Sequence, residues 1–326
     1  MDGVQETMNI EEFNGVQTAR LIMNEVKKAV IGKDDIIEKV LIAILAKGHI
    51  LLEDIPGVGK TTLAIAFSKA TNLHYNRVQF TPDVMPSDIT GFSIYKKATD
   101  SFELVKGAAM CNLFLADEIN RTSSKTQAAL LEVMEEGRVT VDLKSYETPK
   151  PFTVIATQNP IGHAGTQMLP ESQLDRFLMK LSMGYPDKRS ELNILKSKAN
   201  LQPMDSIQPV ADIDTILELQ NMVESVYVDD AMYSFMVELI AQTRCHPLIE
   251  LGASPRGTIA LCNISRVKAF LAERDYVLPI DVQSSFVDAI AHRIVLKAKA
   301  KISNTTTKDL LSEILMSTKA PQFLKK

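Results

Sequence analysis

Residues 48–70 read GHILLEDIPGVGKTTLAIAFSKA. The apolar run at 50–52 is long enough for a buried strand and too short for a helix with its own hydrophobic face. Turn-forming residues follow at 53–59, and from Lys60 onward the apolar residues recur at helical spacing. A strand, a glycine-rich loop and a helix in this order aim a row of backbone N–H groups and the positive end of a helix dipole at one point. The stretch therefore predicts a binding site for an anion.

The loop between this strand and helix has the residue types of a phosphate-binding P-loop. Two glycines let the backbone wrap around a phosphate, Lys60 reaches the phosphate oxygens, and the Thr61 hydroxyl is a ligand for Mg²⁺. The pattern G-x-x-x-x-G-K-[ST] has glycine where this chain has Asp54, and we expect the departure to be tolerated because that position lies at the strand exit. The alternative is a glycine-rich turn with an incidental lysine. The predicted nucleotide contacts in this loop are Pro56, Gly57, Val58, Gly59, Lys60, Thr61 and Thr62.

The composition of the 326-residue chain, 45% hydrophobic and 23% charged, is that of a soluble globular protein, and the length favours two domains. Residues 1–13 are acidic and polar, unlike a signal peptide, and no apolar run approaches the ~18 residues of a membrane span, so we expect a cytoplasmic protein. Cys111, Cys245 and Cys262 are widely separated, which supports neither a disulfide framework nor a zinc site. The net charge of −4 argues against an obligate nucleic-acid coat.

A bend precedes the P-loop. Residues 18–30 have apolar side chains at helical spacing, a second helical pattern begins after residue 34, and Gly32 between them is typical of a helix end. Ile31 and Gly32 are candidate contacts for an adenine base. An ordinary turn between two helices is the open alternative.

The apolar run at 113–116 is a predicted strand that ends in Asp117 and Glu118. Ligands of open α/β sheets bind at the carboxyl ends of the strands, so this pair is expected beside the P-loop. Adjacent strand residues point to opposite faces, and the two carboxylates therefore differ in task. We expect Asp117 to serve the Mg²⁺ shell and Glu118 to act on the water that attacks the γ-phosphate. At this distance from the P-loop lysine the pair is a predicted Walker B motif.

Two further segments are expected near the sheet. Residues 86–106 are rich in breakers and do not continue the main pattern, and they are interpreted as an insertion. Residues 138–141 and 151–156 alternate as strands, which predicts a projecting hairpin with a polar turn around residue 144. The second arm ends at Asn159, where a neutral polar side chain favours a water-orienting role; a turn-starting Asn before proline is the alternative.

Two arginines lie in unusual places. Arg176 stands in a short predicted helix at 169–177, and a local ion pair with Asp175 is the simplest interpretation. Arg256 follows Ser254 and Pro255 at a helix start, where a cation opposes the helix dipole. This placement indicates an anionic partner from outside the helix.

The chain beyond residue 187 reads as helices at 213–223, 229–244, 254–273 and 281–300. The predicted fold class is therefore α/β, a P-loop NTPase core with a parallel sheet and a C-terminal all-α lid. The expected domains are 1–187, the ATP-binding core with N-terminal helices, and 188–326, the lid.

With these pieces in order, the chain resembles the MoxR family of AAA+ ATPases. The residues that carry the resemblance are LLEDIPGVGKT at 51–61, FTPDVMPSDITG at 80–91, LFLADEINRTSSKTQAALLEVMEEG at 113–137, VIATQNP at 154–160, LPESQLDRFLM at 169–179 and LGASPRGTIALCNISRVKAFLAERDYVLPIDV at 251–282. The resemblance implies that Asn159 is sensor 1, that Arg176 is the arginine finger given to a neighbouring subunit, and that Arg256 is sensor 2. It also implies that residues 86–106 are the helix-2 insertion. Relatives with this insertion place the lid unusually. Arg256 therefore serves either its own nucleotide or that of a neighbouring subunit.

The resemblance further implies ATP and Mg²⁺ as cofactors and a ring homo-oligomer, usually a hexamer. Such relatives act as chaperone-like remodellers of protein complexes or metalloenzymes, often with a partner that contains a von Willebrand factor A domain. Two alternatives stay open: a nucleic-acid translocase or chelatase-type motor subunit, and a nucleotide-gated scaffold with little turnover. The charges of the 138–153 segment nearly balance, which makes nucleic acid the less favoured partner.

Overall fold

The structure, a computed structural model, describes residues 14–55, 57–159, 168–200 and 203–322, with backbone only at 197–200. Its strands are β1 (Ile50–Glu53), β2 (Tyr75–Gln79), β3 (Gly91–Lys96), β4 (Ser101–Lys106), β5 (Leu113–Asp117), β6 (Arg138–Val141), β7 (Lys144–Glu147), β8 (Thr153–Gln158), β9 (Met179–Leu181), β10 (Ile249–Leu251) and β11 (Val295–Leu296). Its α-helices are α1 (Gly15–Ala29), α2 (Asp34–Leu45), α3 (Lys60–Thr71), α4 (Pro86–Thr90), α5 (Ser124–Glu136), α6 (Glu171–Leu174), α7 (Lys188–Asn200), α8 (Ile213–Glu224), α9 (Asp230–Cys245), α10 (Pro255–Leu271), α11 (Pro279–Ile290), α12 (Ala298–Ile302) and α13 (Thr307–Ser317).

A parallel sheet in the order β2, β5, β8, β1, β9 forms the centre of the first half of the chain. The strand before the P-loop, β1, pairs with β8 on one side and with β9 on the other. Since all five strands are parallel, the residues that follow Glu53, Asp117 and Gln158 meet at one edge, here called the carboxyl edge. The predicted fold class, an α/β core with a parallel sheet and a helical lid, is confirmed.

Successive strand residues point to opposite sides of this sheet, and helices cover both sides. On one face Ile50 and Leu52 join a buried cluster with α3, α1 and α2. On the other face Leu51 and Phe114 join a second buried cluster with α5. The P-loop is thus anchored in a strand with packing on both sides, which fixes where its backbone N–H groups point.

Two antiparallel hairpins extend from the core, and one corrects the sequence analysis. The predicted insertion at 86–106 is the short helix α4 followed by the β3–β4 hairpin. The predicted hairpin of 138–141 with 151–156 is wrong in its second arm, because β6 pairs with β7 at residues 144–147. Asp142 and Leu143 have positive φ and close the hairpin after two residues. Residues 153–158 are buried on both faces and form the central strand β8 instead.

The lid begins with α7, and its later helices lie within a few residues of the predicted ones except at the end. Helix α11 stops at Ile290, where the sequence pattern predicted a helix to residue 300. The next residues form β11, which pairs with β10 in a short ribbon that the sequence did not predict. Ser254 caps α10 as expected, its hydroxyl accepting a hydrogen bond from the Arg256 backbone N–H at 3.1 Å. Within the described ranges, no helix is both long and apolar enough to cross a lipid bilayer.

Helices α1 and α2 lie between the sheet and the lid. One buried hydrophobic cluster runs from the strands through α1 and α2 into the lid helices. A buried side chain crosses the same boundary, since Gln220 Nε2 donates to the Ile44 carbonyl at 2.7 Å. The division into domains at residue 187 therefore stays a prediction.

A buried histidine joins α5 to the sheet. The Nδ1 atom of His49 accepts a hydrogen bond from the Val154 N–H at 3.0 Å, so Nε2 carries the proton and donates to the Met134 carbonyl at 2.9 Å. Burial lowers the pKa of His49 to about 4, well below the ordinary value of 6.5. The neutral ring satisfies both bonds, and a second proton would break the bond to Val154.

Because of the buried His49, we expect the folded protein to lose stability in mild acid. Between about pH 6.5 and 4 the unfolded chain binds a proton at His49 that the folded chain does not, so the free energy of unfolding falls as pH falls through that window. A shift of this size corresponds to about 3 kcal/mol when the whole window has been crossed. Urea denaturation at pH 7 and pH 5 should show a smaller pH effect in His49→Gln than in wild type. The exposed His74, changed to Gln, should keep the wild-type difference, and an unchanged difference in His49→Gln would contradict the assignment.

Candidate functional site

The P-loop joins β1 to the amino terminus of α3. Gly57 and Gly59 have φ of +84° and +94°, a region that favours glycine. A Cβ added at Gly57 would meet no atom of the described residues within 4 Å apart from its chain neighbours, so among these residues the backbone is open on that side. Thr61 and Thr62 stand in the first turn of α3, and Pro56 lies outside the described residues. The loop thus presents backbone donors at a helix start, as an anion requires.

Lys60 opens α3 and folds back over the loop. Its Nζ donates to the main-chain carbonyl of Asp54 at 2.9 Å. Burial lowers the pKa of Lys60, and the carboxylates of Asp54, Asp117 and Glu118 oppose that shift. The lysine is therefore held next to both the P-loop and the predicted Walker B carboxylates.

The two carboxylates after β5 have different partners. Asp117 accepts hydrogen bonds from Arg77 at 2.8 Å and from the Thr157 hydroxyl at 2.7 Å. Glu118 has a left-handed backbone with φ of +58°, and its carboxylate pairs with Arg121 at 2.7 Å. The Glu118 N–H also donates to Thr157 Oγ1 at 2.8 Å. Asp117 and Glu118 therefore have separate charged partners, and Thr157 bonds both residues to β8. The division of tasks between the two carboxylates stays a prediction.

Sequence reasoning missed Arg77, Thr157 and Arg121. Arg77 contacts Asp117 because β2 pairs with β5, and no local sequence pattern predicts that pairing. The sequence could have indicated Thr157, because it lies two residues before Asn159 in the strand that ends at the site.

Asn159 follows β8, between the ends of β5 and β1, so it lies at the carboxyl edge as predicted. Its backbone is fixed by Asn120, whose Nδ2 donates to the Asn159 carbonyl at 3.1 Å and whose Oδ1 accepts from its N–H at 3.4 Å. Both asparagines are buried. The end of β8 is thereby attached to the turn that follows Glu118.

A cavity of about 530 Å³ adjoins the P-loop. Its size and mainly apolar walls suit a nucleobase with its sugar. The residues that line it are Ala29, Val30, Ile31, Lys33, Gly57, Val58, Gly59, Thr62, Met183, Pro186, Ile194, Pro203 and Met204. The structure therefore brings Ile31 to the P-loop, as the adenine hypothesis requires. Gly32 packs instead against the lid helix α7, where an added Cβ would lie 2.1 Å from the Ser190 hydroxyl.

Arg176 does not pair with Asp175, so the alternative interpretation of Arg176, a local ion pair, is wrong. Arg176 Nη1 lies 2.9 Å from one carboxylate oxygen of Glu135 and donates to the Leu131 carbonyl at 2.8 Å. The guanidinium of Arg256 contacts the other carboxylate oxygen of Glu135. Arg176, Arg256 and Glu135 form what we call the arginine cluster. One carboxylate thus bridges two cations that come from the core and from the lid.

Asp175 has partners in the lid. Its carboxylate accepts from Arg293 Nε at 3.0 Å and from the Ser254 hydroxyl at 2.7 Å. Arg293 is buried, and burial lowers its pKa to about 10 while Asp175 opposes the shift. Since Ser254 caps the helix that carries Arg256, this contact fixes the start of that helix next to Arg176.

The arginine cluster lies at the other end of β1 from the P-loop. A smaller cavity beside the cluster is lined by Gly48 and His49, which precede β1, together with Arg176 and Arg256. The P-loop follows the carboxyl end of the same strand, and a strand of four residues spans about 13 Å. The two predicted arginines are brought to each other and not to the P-loop of their own chain.

A P-loop on a parallel sheet, paired carboxylates after β5 at the same edge of that sheet and a helical lid define the class of P-loop NTPases. Comparison with known families agrees with this class. Residues 49–179 match the profile described as the ATPase family associated with various cellular activities (AAA), and residues 241–314 match that of the AAA lid domain.

Individual relatives narrow the class. The chain is 46% identical to the uncharacterized protein YeaC of Bacillus subtilis (strain 168), over 92% of this chain and 93% of that protein. It is 36% identical to chaperone MoxR1 of Mycobacterium tuberculosis, over 94% of this chain and 83% of that one. A crystal structure of a putative ATPase from Cytophaga hutchinsonii superposes with a TM-score of 0.87 at 36% identity, covering 94% of this chain and 96% of that one. The chain belongs to the MoxR family of AAA+ ATPases.

Proposed function

We propose that this protein is a Mg²⁺-dependent ATP hydrolase that works as an oligomer on protein clients. One observation carries the catalytic part: the P-loop with Lys60, the Asp117–Glu118 pair and Asn159 all lie at the carboxyl edge of one sheet. Each of these side chains is of the type that phosphoryl transfer to water needs at that place. Ile31 on the wall of the adjoining cavity supports an adenine nucleotide as the ligand.

Each residue of this site has a separate task in the proposed hydrolysis. Lys60 and the backbone N–H groups of the P-loop bind the phosphates and stabilise negative charge. Thr61 and Asp117 offer hydroxyl and carboxylate oxygens, the ligand types that suit Mg²⁺, and the bound ion would neutralise charge on the phosphates. Glu118 orients the attacking water and takes its proton, with Asn159 as a second group that orients the water. Glu118 must exchange its contact with Arg121 for the water.

We further propose that Arg176 and Arg256 act on the nucleotide of a neighbouring subunit. Their position beyond the amino end of β1 supports action in trans for both, and for Arg256 it favours the second of the two choices that the resemblance left open. A heterologous contact that carries the arginines to the next P-loop closes into a ring, and a hexamer is the size that the family resemblance implies.

A protein client is favoured over nucleic acid by the exposed hairpins. The β3–β4 hairpin exposes large apolar side chains, with Phe102 at 69% and Tyr95 at 50%, and Leu143 at the tip of the β6–β7 hairpin is 99% exposed. Two of the hairpin cations, Lys96 and Arg138, are paired with carboxylates. Such surfaces suit an unfolded or loosely held protein segment better than a phosphate backbone. A partner with a von Willebrand factor A domain and a cytoplasmic location complete the proposal and rest on the resemblance and on the sequence.

Removal of the P-loop cation tests the nucleotide site. Lys60→Ala takes the only lysine of the P-loop sequence from the phosphate oxygens, and we expect ATP affinity to fall by about 100-fold or more, in line with loss of charge-assisted hydrogen bonds in a buried site. Titration calorimetry measures the affinity, and phosphate release with and without Mg²⁺ measures the turnover. The exposed Lys125→Ala should behave as wild type. Unchanged ATP binding in Lys60→Ala would refute the P-loop assignment.

A further inference from the structure

Asp54 stands where the P-loop pattern has glycine, and its carboxylate is buried. One oxygen accepts from the Gly184 N–H at 2.7 Å and from the Ser182 hydroxyl at 3.2 Å. The other accepts from the Ile55 N–H at 3.0 Å. These donors are neutral groups, and two of them lie 128 or more residues away in the chain.

The segment that Asp54 holds, residues 182–187, joins β9 to α7 and is here called the linker. The linker connects the sheet to the lid and also forms part of the cavity wall through Met183 and Pro186. Lys33 holds it from the other side, since its Nζ donates to the Tyr185 carbonyl at 2.9 Å and to the Met183 carbonyl. The linker therefore touches the cavity, the P-loop and the lid at once.

A carboxylate at this place has an electrostatic cost. A buried negative charge loses hydration and repels the phosphates that the P-loop is shaped to bind. Glycine at this position would avoid both effects. The hydrogen bonds to the linker are the gain that offsets them, because bonds to a charged acceptor are stronger than bonds between neutral groups.

The same residue is also in contact with the phosphate-binding lysine. The main-chain carbonyl of Asp54 accepts from Lys60 Nζ, while its side chain holds the linker. When Lys60 binds phosphate oxygens, it loses its hydrogen bond to the Asp54 carbonyl. Phosphate binding therefore changes the contacts of the residue that holds the linker.

We propose that Asp54 is a positioning residue that couples nucleotide binding at the P-loop to the position of the linker and the lid. The proposal rests on the proposed function, since it assumes that the cavity takes ATP. Because the lid carries Arg256, loosening the linker should impair turnover more than nucleotide binding. If the aspartate at position 54 had no role, replacing it would alter neither turnover nor nucleotide binding.

Hydrogen–deuterium exchange of the peptide that covers residues 182–187 tests this coupling directly. It is measured in wild type, Asp54→Gly, Asp54→Asn and Ser182→Ala, each with and without a non-hydrolysable ATP analogue. In Asp54→Gly we expect the Gly184 amide to exchange roughly 10- to 100-fold faster, as the loss of a bond to a charged acceptor implies. The analogue should still bind within about threefold of wild type, since the glycine restores the ordinary P-loop residue, but it should no longer protect the linker.

The other variants separate hydrogen bonding from charge. With its oxygen toward the linker, asparagine keeps an acceptor for both Gly184 and Ser182 and loses only the bond from the Ile55 N–H, so Asp54→Asn should exchange close to wild type. Ser182→Ala removes the longer bond and should fall between wild type and Asp54→Gly. Steady-state kinetics should show kcat in Asp54→Gly lowered by about 10-fold with little change in KM, and recovery in Asp54→Asn.

Several results would overturn the proposal. Wild-type exchange in Asp54→Gly, full protection of its linker by the analogue, or equal loss in the glycine and asparagine variants would each show that these hydrogen bonds do not couple the two sites. Loss of analogue binding in Asp54→Gly with an unchanged linker would place Asp54 in the phosphate site itself. Failure of the wild type to bind the analogue would refute the proposed function, and the coupling with it.

Discussion

Glu118→Gln is expected to bind ATP as the wild type does and to hydrolyse it roughly 100-fold or more slowly, the scale on which a general base contributes. Glutamine keeps the size of the side chain and its hydrogen bond with Arg121, but it cannot take a proton from water. The fold should persist, because the Glu118 backbone remains bonded to Thr157. Calorimetry measures binding and phosphate release measures turnover. ATP-bound oligomers should accumulate in this variant.

Asp117→Asn provides the contrast to this variant. The change removes charge from the group assigned to Mg²⁺, so we expect weaker dependence on Mg²⁺ as well as slower hydrolysis. It also weakens the ion pair with Arg77, which thermal denaturation would report as a loss of stability. Glu132→Gln, an exposed carboxylate on α5, serves as the control. If Asp117→Asn and Glu118→Gln had the same phenotype, the division of labour between the two carboxylates would be wrong.

Arg176→Ala is expected to bind ATP almost normally and to lose about 10³-fold in hydrolysis, the effect of removing an arginine from the transition state in comparable hydrolases. Negative charge grows on the phosphate oxygens in that state. Among the described residues at the subunit's own edge, Lys60 lies at the P-loop, while Arg77 and Arg121 are paired with Asp117 and Glu118. Because the missing charge would come from a neighbour, the specific activity of the wild type should rise with protein concentration. Arg20→Ala, which removes an exposed cation, should leave turnover unchanged.

Mixing variants tests the shared site. Arg176→Ala and Lys60→Ala should each be inactive alone. In a mixed ring, an intact P-loop from the first variant meets an intact arginine from the second at about one quarter of the interfaces when the subunits are equal in number and randomly placed. Partial recovery of hydrolysis supports action in trans. A mixture that assembles and stays inactive at every ratio would remove Arg176 from this role and leave its bond to Glu135 as a structural contact.

The residues that the sequence predicted correctly for the carboxyl edge are local in the chain. The P-loop from Gly57 to Thr62 and the Asp117–Glu118 pair are short motifs, and parallel strands deliver them to one edge wherever their neighbours lie. The lid helices were likewise predictable, because helical spacing of apolar residues is a local signal.

What the sequence missed depends on pairing between distant segments. Residues 151–156 alternate as well as the arm of a hairpin does, and only the sheet order shows that they belong in its centre. Asp175 and Arg176 are adjacent in the chain, yet one pairs with Arg293 and the other with Glu135. The sequence predicts only that Asp54 is a tolerated departure, because the P-loop motif does not indicate its partners in the linker.

Gly32 carries a consequence for the comparison of this chain with its relatives. Its φ is +72°, and any Cβ there would stand 2.1 Å from the hydroxyl and 2.7 Å from the Cβ of Ser190. Both the backbone and the neighbouring helix therefore disfavour a side chain at this position. A side chain at position 32 would need either a smaller residue at position 190 or a shift of the first lid helix. The absence of one Cβ in the turn between α1 and α2 thus sets how closely the lid can approach that turn.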